Sequence, residues 1–492
     1  MRLLAVSDIQ GNWQAFADAY ARELRLGRPP DAIVHTGNLG LWSTALVVDS
    51  NDVSYARQVV AFSSVLSPSV VESVNNLSQI SGGTTSSGTG ENNDEIEAMA
   101  SALDGHRLSH YDDYIGGTHK QLPCPVYSVY GPLDHPSVVT QLLNGQLNVP
   151  NLFIVDHNHV YVLDDEVSGS SVKLYGLGGT VKLHSLFDHG PIAKDDNDDH
   201  NADVVAPVCG KVGELWVTMV QIAELYVKAM EATTTTDGCA SEDDTTNSAD
   251  NDGAVSSTIN IFMAHAPVIK TPLLEHLAII THADFTISQG LHFRYPVSGN
   301  GMSFVDSMGG SAGYLDHYRS KFSRLRMILG ELWAIVRHDV CRHLDTSILP
   351  IIELALSLFD KIPVSIADTV DEIVPLRVAP PSADTSTTTN NDESSAKPVL
   401  KRINDYYFQA YYNLWHFNVC DVVSEDRTHL NVMGFLLDEN HNFVLEHCTS
   451  QGFNFRFKKE KQPPNNEANS TGASSIRGRG TTRHRGRRPG RR

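Results

Sequence analysis

The sequence predicts an α/β protein. Short apolar runs each end in a polar turn, three of those turns contain glycine, and stretches of helical length and pattern lie between them. Arg2–Val6 is the first run and ends at Ser7-Asp8-Ile9-Gln10-Gly11-Asn12; Trp13 to Leu26 then has the pattern of a helix. Ala32–His35 follows, ending at Thr36-Gly37-Asn38-Leu39-Gly40. Pro125–Tyr130 repeats the pattern before Gly131-Pro132-Leu133-Asp134-His135, and Ile259–Ala264 does so before His265. In such folds ligands gather at the carboxyl ends of the strands.

Leu152–Val155, Val160–Leu163 and Val172–Tyr175 read as a meander that closes on Gly176-Leu177-Gly178-Gly179. That glycine cluster has two readings, a tight turn after a strand or a cradle for phosphate. Gly210 to Glu231 and Asp316 to His343 have the pattern of long amphipathic helices, with Arg319, Lys321, Arg324 and Arg326 expected on a solvated face. From Tyr406 to Phe457 the chain turns aromatic and strand-like, which fits either packed core or a platform for bases.

The chain has 492 residues, 41% hydrophobic and 20% charged, enough for one large core or two ordinary ones. With 38 basic and 58 acidic side chains the net charge is −20, so any affinity for a phosphate backbone has to be local. Four polar stretches, 77–98, 193–204, 232–257 and 381–397, hold 18 of the acidic residues and almost nothing to bury; they read as disordered insertions. The last sixteen residues hold eight arginines and no acid: Arg477, Arg479, Arg483, Arg485, Arg487, Arg488, Arg491 and Arg492. Arginine interleaved with glycine can stack on bases and pair with phosphates, which makes RNA a natural partner. An import signal, or pairing with the chain's own acidic loops, is the other use of such a tail.

Six scattered cysteines without a C-x-x-C pair argue against a zinc ribbon or a disulfide framework and fit a reducing compartment. The opening residues become polar too early for a secretion signal, and the most apolar run, Leu349 to Phe359, is short and interrupted by Glu353. No membrane association is therefore expected, and cytoplasm or nucleus is the expected location. No Gly-x-Ser-x-Gly elbow or Walker loop is present.

The four turns together resemble the metallophosphoesterase superfamily, relatives of calcineurin, whose motifs read D-x-H, G-D, G-N-H-D/E, H and G-H-x-H. More closely, His35-Thr36-Gly37, Tyr175 to Gly179, Leu186-Phe187-Asp188, Gly290 to Tyr295, Leu315 to Arg319 and Gly452 to Phe455 resemble an uncharacterised fungal family with a metallophosphatase-like domain. The resemblance spans most of residues 1–457 and implies a double-sheet sandwich flanked by helices. It implies a core over 1–330, a helical and strand part over 331–460 packed on it, and a disordered tail over 461–492.

Such enzymes use two metals roughly 3.5–4 Å apart to activate water and clamp the phosphoryl group. Here Gln10 stands for the first histidine, Asn38 for the bridging aspartate, and Pro132 and Leu133 for the asparagine and the histidine of the third motif. Asp8 and His265 match, and His292 with Arg294 keeps the last spacing shifted by one residue. The resemblance thus leaves Asp8, His265 and His292 as metal-ligand candidates, with Gln10, Asn38 and Asp134 as weaker ones. Two expectations follow. One is a non-catalytic pseudoenzyme scaffold without a cofactor, reading a phosphate-bearing ligand or RNA. The other is a one-metal phosphoesterase holding Mn, Zn or Fe, with His135 as acid and Arg294 on the phosphoryl group.

Overall fold

The computed structural model describes residues 1–81, 89–117, 119–188, 208–234, 258–290, 296–300, 310–343, 348–360, 410–411, 413–423 and 429–450. These lie within one compact unit, Met1–Gly452. In chain order the strands are β1 (Arg2–Val6), β2 (Ala32–His35), β3 (Val126–Ser128), β4 (Leu152–Ile154), β5 (Tyr161–Asp165), β6 (Ser170–Leu177) and β7 (Cys209–Lys211). They continue with β8 (Glu214–Trp216), β9 (Thr258–Ala264), β10 (Phe285–Gln289), β11 (Val297–Asn300), β12 (Trp415–Val419), β13 (Val432–Leu437) and β14 (Phe443–Thr449). The helices are α1 (Gln14–Arg25), α2 (Thr44–Asp49), α3 (Val53–Phe62), α4 (Pro68–Ser81) and α5 (Thr89–Ala102). They are followed by α6 (Pro136–Leu143), α7 (Met219–Thr234), α8 (Pro272–Ile280), α9 (Gly310–His343) and α10 (Leu349–Phe359).

Two six-stranded mixed sheets face each other, ordered β14-β13-β1-β2-β3-β4 and β11-β12-β10-β9-β6-β5. Within the first, β1 to β4 run parallel; within the second, β6, β9, β10 and β12 do. The period of two along each strand builds the layers. Leu3 and Ala5 of β1 join Ile259, Ile261 and Met263 of β9 in the core between the sheets. Leu4 and Val6 point the other way, onto Phe16 and Ala19 of α1. Phe262 and Ala264 of β9 likewise point outward, to Val220 and Ala223 of α7 and Leu274 and Ala278 of α8. The double-sheet sandwich flanked by helices is therefore present.

The strands expected at the four turns are all present. The expected meander is not one: β4 pairs with β3 in the first sheet, whereas β5 and β6 form a hairpin in the second. Asp156 turns the chain between them by accepting the N–H groups of Asn158 and His159, each at 2.9 Å. The helix expected over Gly210 to Glu231 begins only at Met219. Before it, β7 and β8 pair as a short ribbon, because Gly210 (φ +121°) and Gly213 (φ +77°) take conformations that no right-handed helix allows.

The basic stripe of α9 is not simply solvated. Lys321 pairs with buried Glu275, and Arg326 lies 3.3 Å from Asp360, while Arg324 is exposed. The stretch 77–98 is helical at both ends, where α4 finishes and α5 starts. The other polar insertions, apart from 232–234 at the end of α7, and the tail lie outside the described residues. Of the aromatic segment, Tyr411 and Phe417 are core, Trp415 is exposed, and Tyr406-Tyr407-Phe408 and Phe453 to Phe457 lie outside the described residues. A division at residue 330 cuts through both sheets, since β12 lies between β10 and β11, and β13 between β1 and β14. Among the described residues no helix is long and apolar enough to cross a membrane.

Candidate functional site

The turns after β1 and β2 continue side by side beyond the strands. Asp8, Gln10 and Gly11 donate their backbone N–H groups to the carbonyls of Gly37, Asn38 and Leu39 at 3.0–3.2 Å. This pairing holds Asp8, Gln10 and Asn38 at positive φ (51°, 47° and 58°), an uncommon conformation for residues with side chains. Gly37 lets the second turn pass under His265, since a β-carbon there would fall 2.8 Å from the imidazole Nδ1.

Asp8 is buried, and its carboxylate is held by neutral donors. Asn38 Nδ2 donates to Oδ1 at 2.7 Å, Gln289 Nε2 donates to Oδ2 at 3.0 Å, and the Ser7 hydroxyl also donates to Oδ2. Gln289 ends β10, so its bond to Asp8 ties the second sheet to the first. Its own backbone is fixed by His265 O, which accepts its N–H at 3.2 Å, and by Asn418 Nδ2, which donates to its carbonyl at 3.2 Å. Asn38 Oδ1 in turn accepts the Leu133 N–H at 3.3 Å.

His265 Nδ1 lies 2.9 Å from the Thr36 carbonyl, which can only accept, so Nδ1 carries a proton. Beneath it His35, wholly buried, bonds Ser128 Oγ at 2.8 Å; burial and then the neighbouring His265 push its pKa down to about 3, so it stays neutral. Gln10 Oε1 accepts from Ser64 Oγ at 3.3 Å and lies half-buried at the rim.

Asp134 does not approach Asp8. It is buried beneath the second turn and accepts the N–H groups of Gly131, Leu39, Gly40 and Leu41 at 2.8–3.3 Å, which makes it a clamp for backbone. His135, the acid candidate, precedes α6 with its Nδ1 on Ser137 Oγ at 2.7 Å and its ring 6.3 Å from that of Tyr55. The glycine cluster ending β6 serves close packing: a side chain on Gly178 would strike the Tyr130 ring, and one on Gly176 the Met263 backbone. His292, Arg294 and the eight tail arginines lie outside the described residues.

Besides Gln289, a second residue beside Asp8 was missed. Asp421, just after β12, bridges Ser7, and the N–H of the next residue, Val422, donates to Ser7 O at 2.8 Å. Its half-buried carboxyl is raised to about 7, first by burial and then by the charge of Asp8. No local motif marks it; only the sheet pairing brings it beside Asp8.

The described residues do not suit the metal pair. Around Asp8 stand the amides of Asn38 and Gln289 and the Ser7 hydroxyl, groups that carry no negative charge toward a second cation. Among the described residues no three His, Cys, Asp or Glu side chains are arranged to share a metal ion.

A family model described as a protein of unknown function (DUF2433) matches residues 295–458, the segment that carries β11 to β14 and Asp421. The crystal structure of TT1561 of Thermus thermophilus is similar to this chain with a TM-score of 0.27 and 15% identity, over 61% of this chain and 84% of that one. No curated protein matches the chain.

Proposed function

We propose that this chain is a metallophosphoesterase-like sandwich that works by binding, not by metal-dependent hydrolysis, and that its arginine-rich tail contacts RNA. The observation that carries the first part is the donor set of Asp8: two amides and a hydroxyl stand where the superfamily resemblance implies metal contacts. Neutral amide and hydroxyl donors stabilise the carboxylate by hydrogen bonding, so the strand-end turns are held together without a cation. The tail's composition supports the second part.

Elemental analysis of the full-length protein after incubation with manganese, zinc or iron and desalting tests the cleft. We expect no retained metal. Near-stoichiometric metal that disappears in Asp8→Ala and His265→Ala would overturn the reading in favour of a one-metal phosphoesterase. For the tail, fluorescence polarisation with a labelled single-stranded RNA should show a steep loss of affinity with salt, and a loss of about tenfold or more on deletion of 477–492. Unchanged binding after that deletion removes RNA contact from the tail.

A further inference from the structure

β4 and β5 are edge strands of the two sheets, and their connection crosses from one sheet to the other. Beside that connection, against α6 and the loop after it, lies a cavity of about 200 Å³. Its wall includes Leu142 of α6, Leu147 of the loop, Leu152 and Phe153 of β4, Tyr161 of β5, and His159. All six are only partly buried. Among the described residues no lysine, arginine, aspartate or glutamate lines the cavity, and His159 and Tyr161 are its ionisable groups. The Tyr161 hydroxyl is already given to the Ile154 carbonyl at 3.1 Å.

The His159 ring is set in place from behind. Asp156, 2% exposed and not part of the wall, accepts the backbone N–H groups of Asn158 and His159, each at 2.9 Å, on one carboxylate oxygen. The same oxygen takes His159 Nδ1 at 2.7 Å. Nδ1 is thereby committed, and among the described residues nothing bonds Nε2. The hydrogen bond to Asp156 raises the His159 pKa against the opposing effect of burial, which favours the ring with protons on both nitrogens.

Four ligand chemistries can be weighed against this wall. A cation would meet an imidazolium and no acid. A phosphate dianion asks for more donors than one ring nitrogen and the neighbouring Asn148 amide supply. A wholly apolar molecule would leave the Nε2 proton without an acceptor. A carboxylate accepts that proton in a charge-assisted bond, and the volume sets the size of what it is attached to, since a cavity of about 150 Å³ holds benzene.

We propose that the cavity at the β4–β5 edge binds a small monocarboxylate with an apolar body of about one ring. The carboxylate accepts from His159 Nε2, and the apolar body lies among Leu142, Leu147, Leu152 and Phe153. This site is separate from the strand-end turns, and the proposal does not depend on whether those hold metal.

Saturation-transfer NMR titrations on the full-length protein at pH 6 test it with benzoate, benzamide, benzylamine and acetate. Benzoate should bind, benzamide and benzylamine about tenfold or more weakly, and acetate, which lacks the apolar body, not detectably. His159→Leu should weaken benzoate about tenfold or more, and Leu147→Trp, which fills the cavity, should abolish binding. His338→Leu on the exposed side of α9 should change nothing. A melting curve shows that each variant is folded. Benzoate affinity should also fall as the pH rises from 6 to 9, while that of benzamide stays level. The other titratable groups near His159 are Asp156, His157, Tyr161 and, 3.3 Å from His157, Glu224 of α7. Burial holds His157 below the ordinary histidine range and pushes Tyr161 up to about 12, so neither titrates in that window. Burial and then Asp156 raise Glu224, and Glu224→Gln should leave the fall in place. No benzoate binding, equal binding of benzamide or benzylamine, or unchanged affinity in folded His159→Leu or Leu147→Trp overturns the proposal. A benzoate affinity that is level from pH 6 to 9 overturns it as well.

Discussion

Asp8 is buried and accepts from three neutral groups, each of which is held by something else. Asn38 gives the clearest test: it donates to Asp8 and accepts from Leu133 with the same amide. Asn38→Ala leaves both partners short, and chemical denaturation should report a loss of about 1–3 kcal/mol. Asp421 contributes with the opposite sign. Its folded-state pKa is raised above the ordinary carboxylate value, so folding takes up its proton more readily than the unfolded chain does. The stability this gives is complete below about pH 4 and is lost as the pH rises through about 7. Urea melts of Asp421→Asn should therefore show less loss of stability between pH 5 and pH 8 than the natural chain. An equal loss in both would mean that another group titrates there.

At the scale of elements, α8 is the keystone of the outer layer. Every residue from Leu273 to Ile280 is buried, so its inner face meets β9 and its outer face meets α9 and α10. Leu274→Ala should cost about 2–5 kcal/mol in a denaturant titration, because so enclosed a site cannot collapse around the cavity. Glu275 on the same helix is wholly buried between Lys321 of α9 and His416 of β12, which lies 3.4 Å away. Glu275→Ala removes the shared partner and should destabilise by about 3–5 kcal/mol, whereas a loss under 1 kcal/mol would show the network to be slack. The sequence pattern found α9 but placed its charges on a solvated face. Periodicity tells which residues share a stripe, and only packing tells what that stripe meets.

For the whole molecule, the decisive pairing joins the two ends of the described unit. Arg2 to Ala5 of β1 pair antiparallel with Met433 to Leu436 of β13, and Phe285 to Gln289 of β10 pair with Trp415 to Val419 of β12. A fragment of residues 1–330 would expose both strand edges and lose the Phe417, Met433 and Phe435 share of the inter-sheet core. It should fail to give a cooperative thermal transition, and a sharp transition like that of the full chain would contradict the topology.

The sequence by itself determined the α/β class, the strand–turn–helix units, and the placing of Asp8, Gln10, Asn38 and His265 at strand ends. Those features are local: alternation, helical periodicity and turn chemistry are written within a dozen residues. Tertiary structure decided which sheet β4 and β5 join, that β12 and β13 enter the interior of both sheets, and that Asp134 binds backbone. It also decided that Gln289 and Asp421 stand beside Asp8. Each of these depends on pairing between segments far apart in the chain, where hydrogen-bond register and buried area select the partner and no local pattern records the choice.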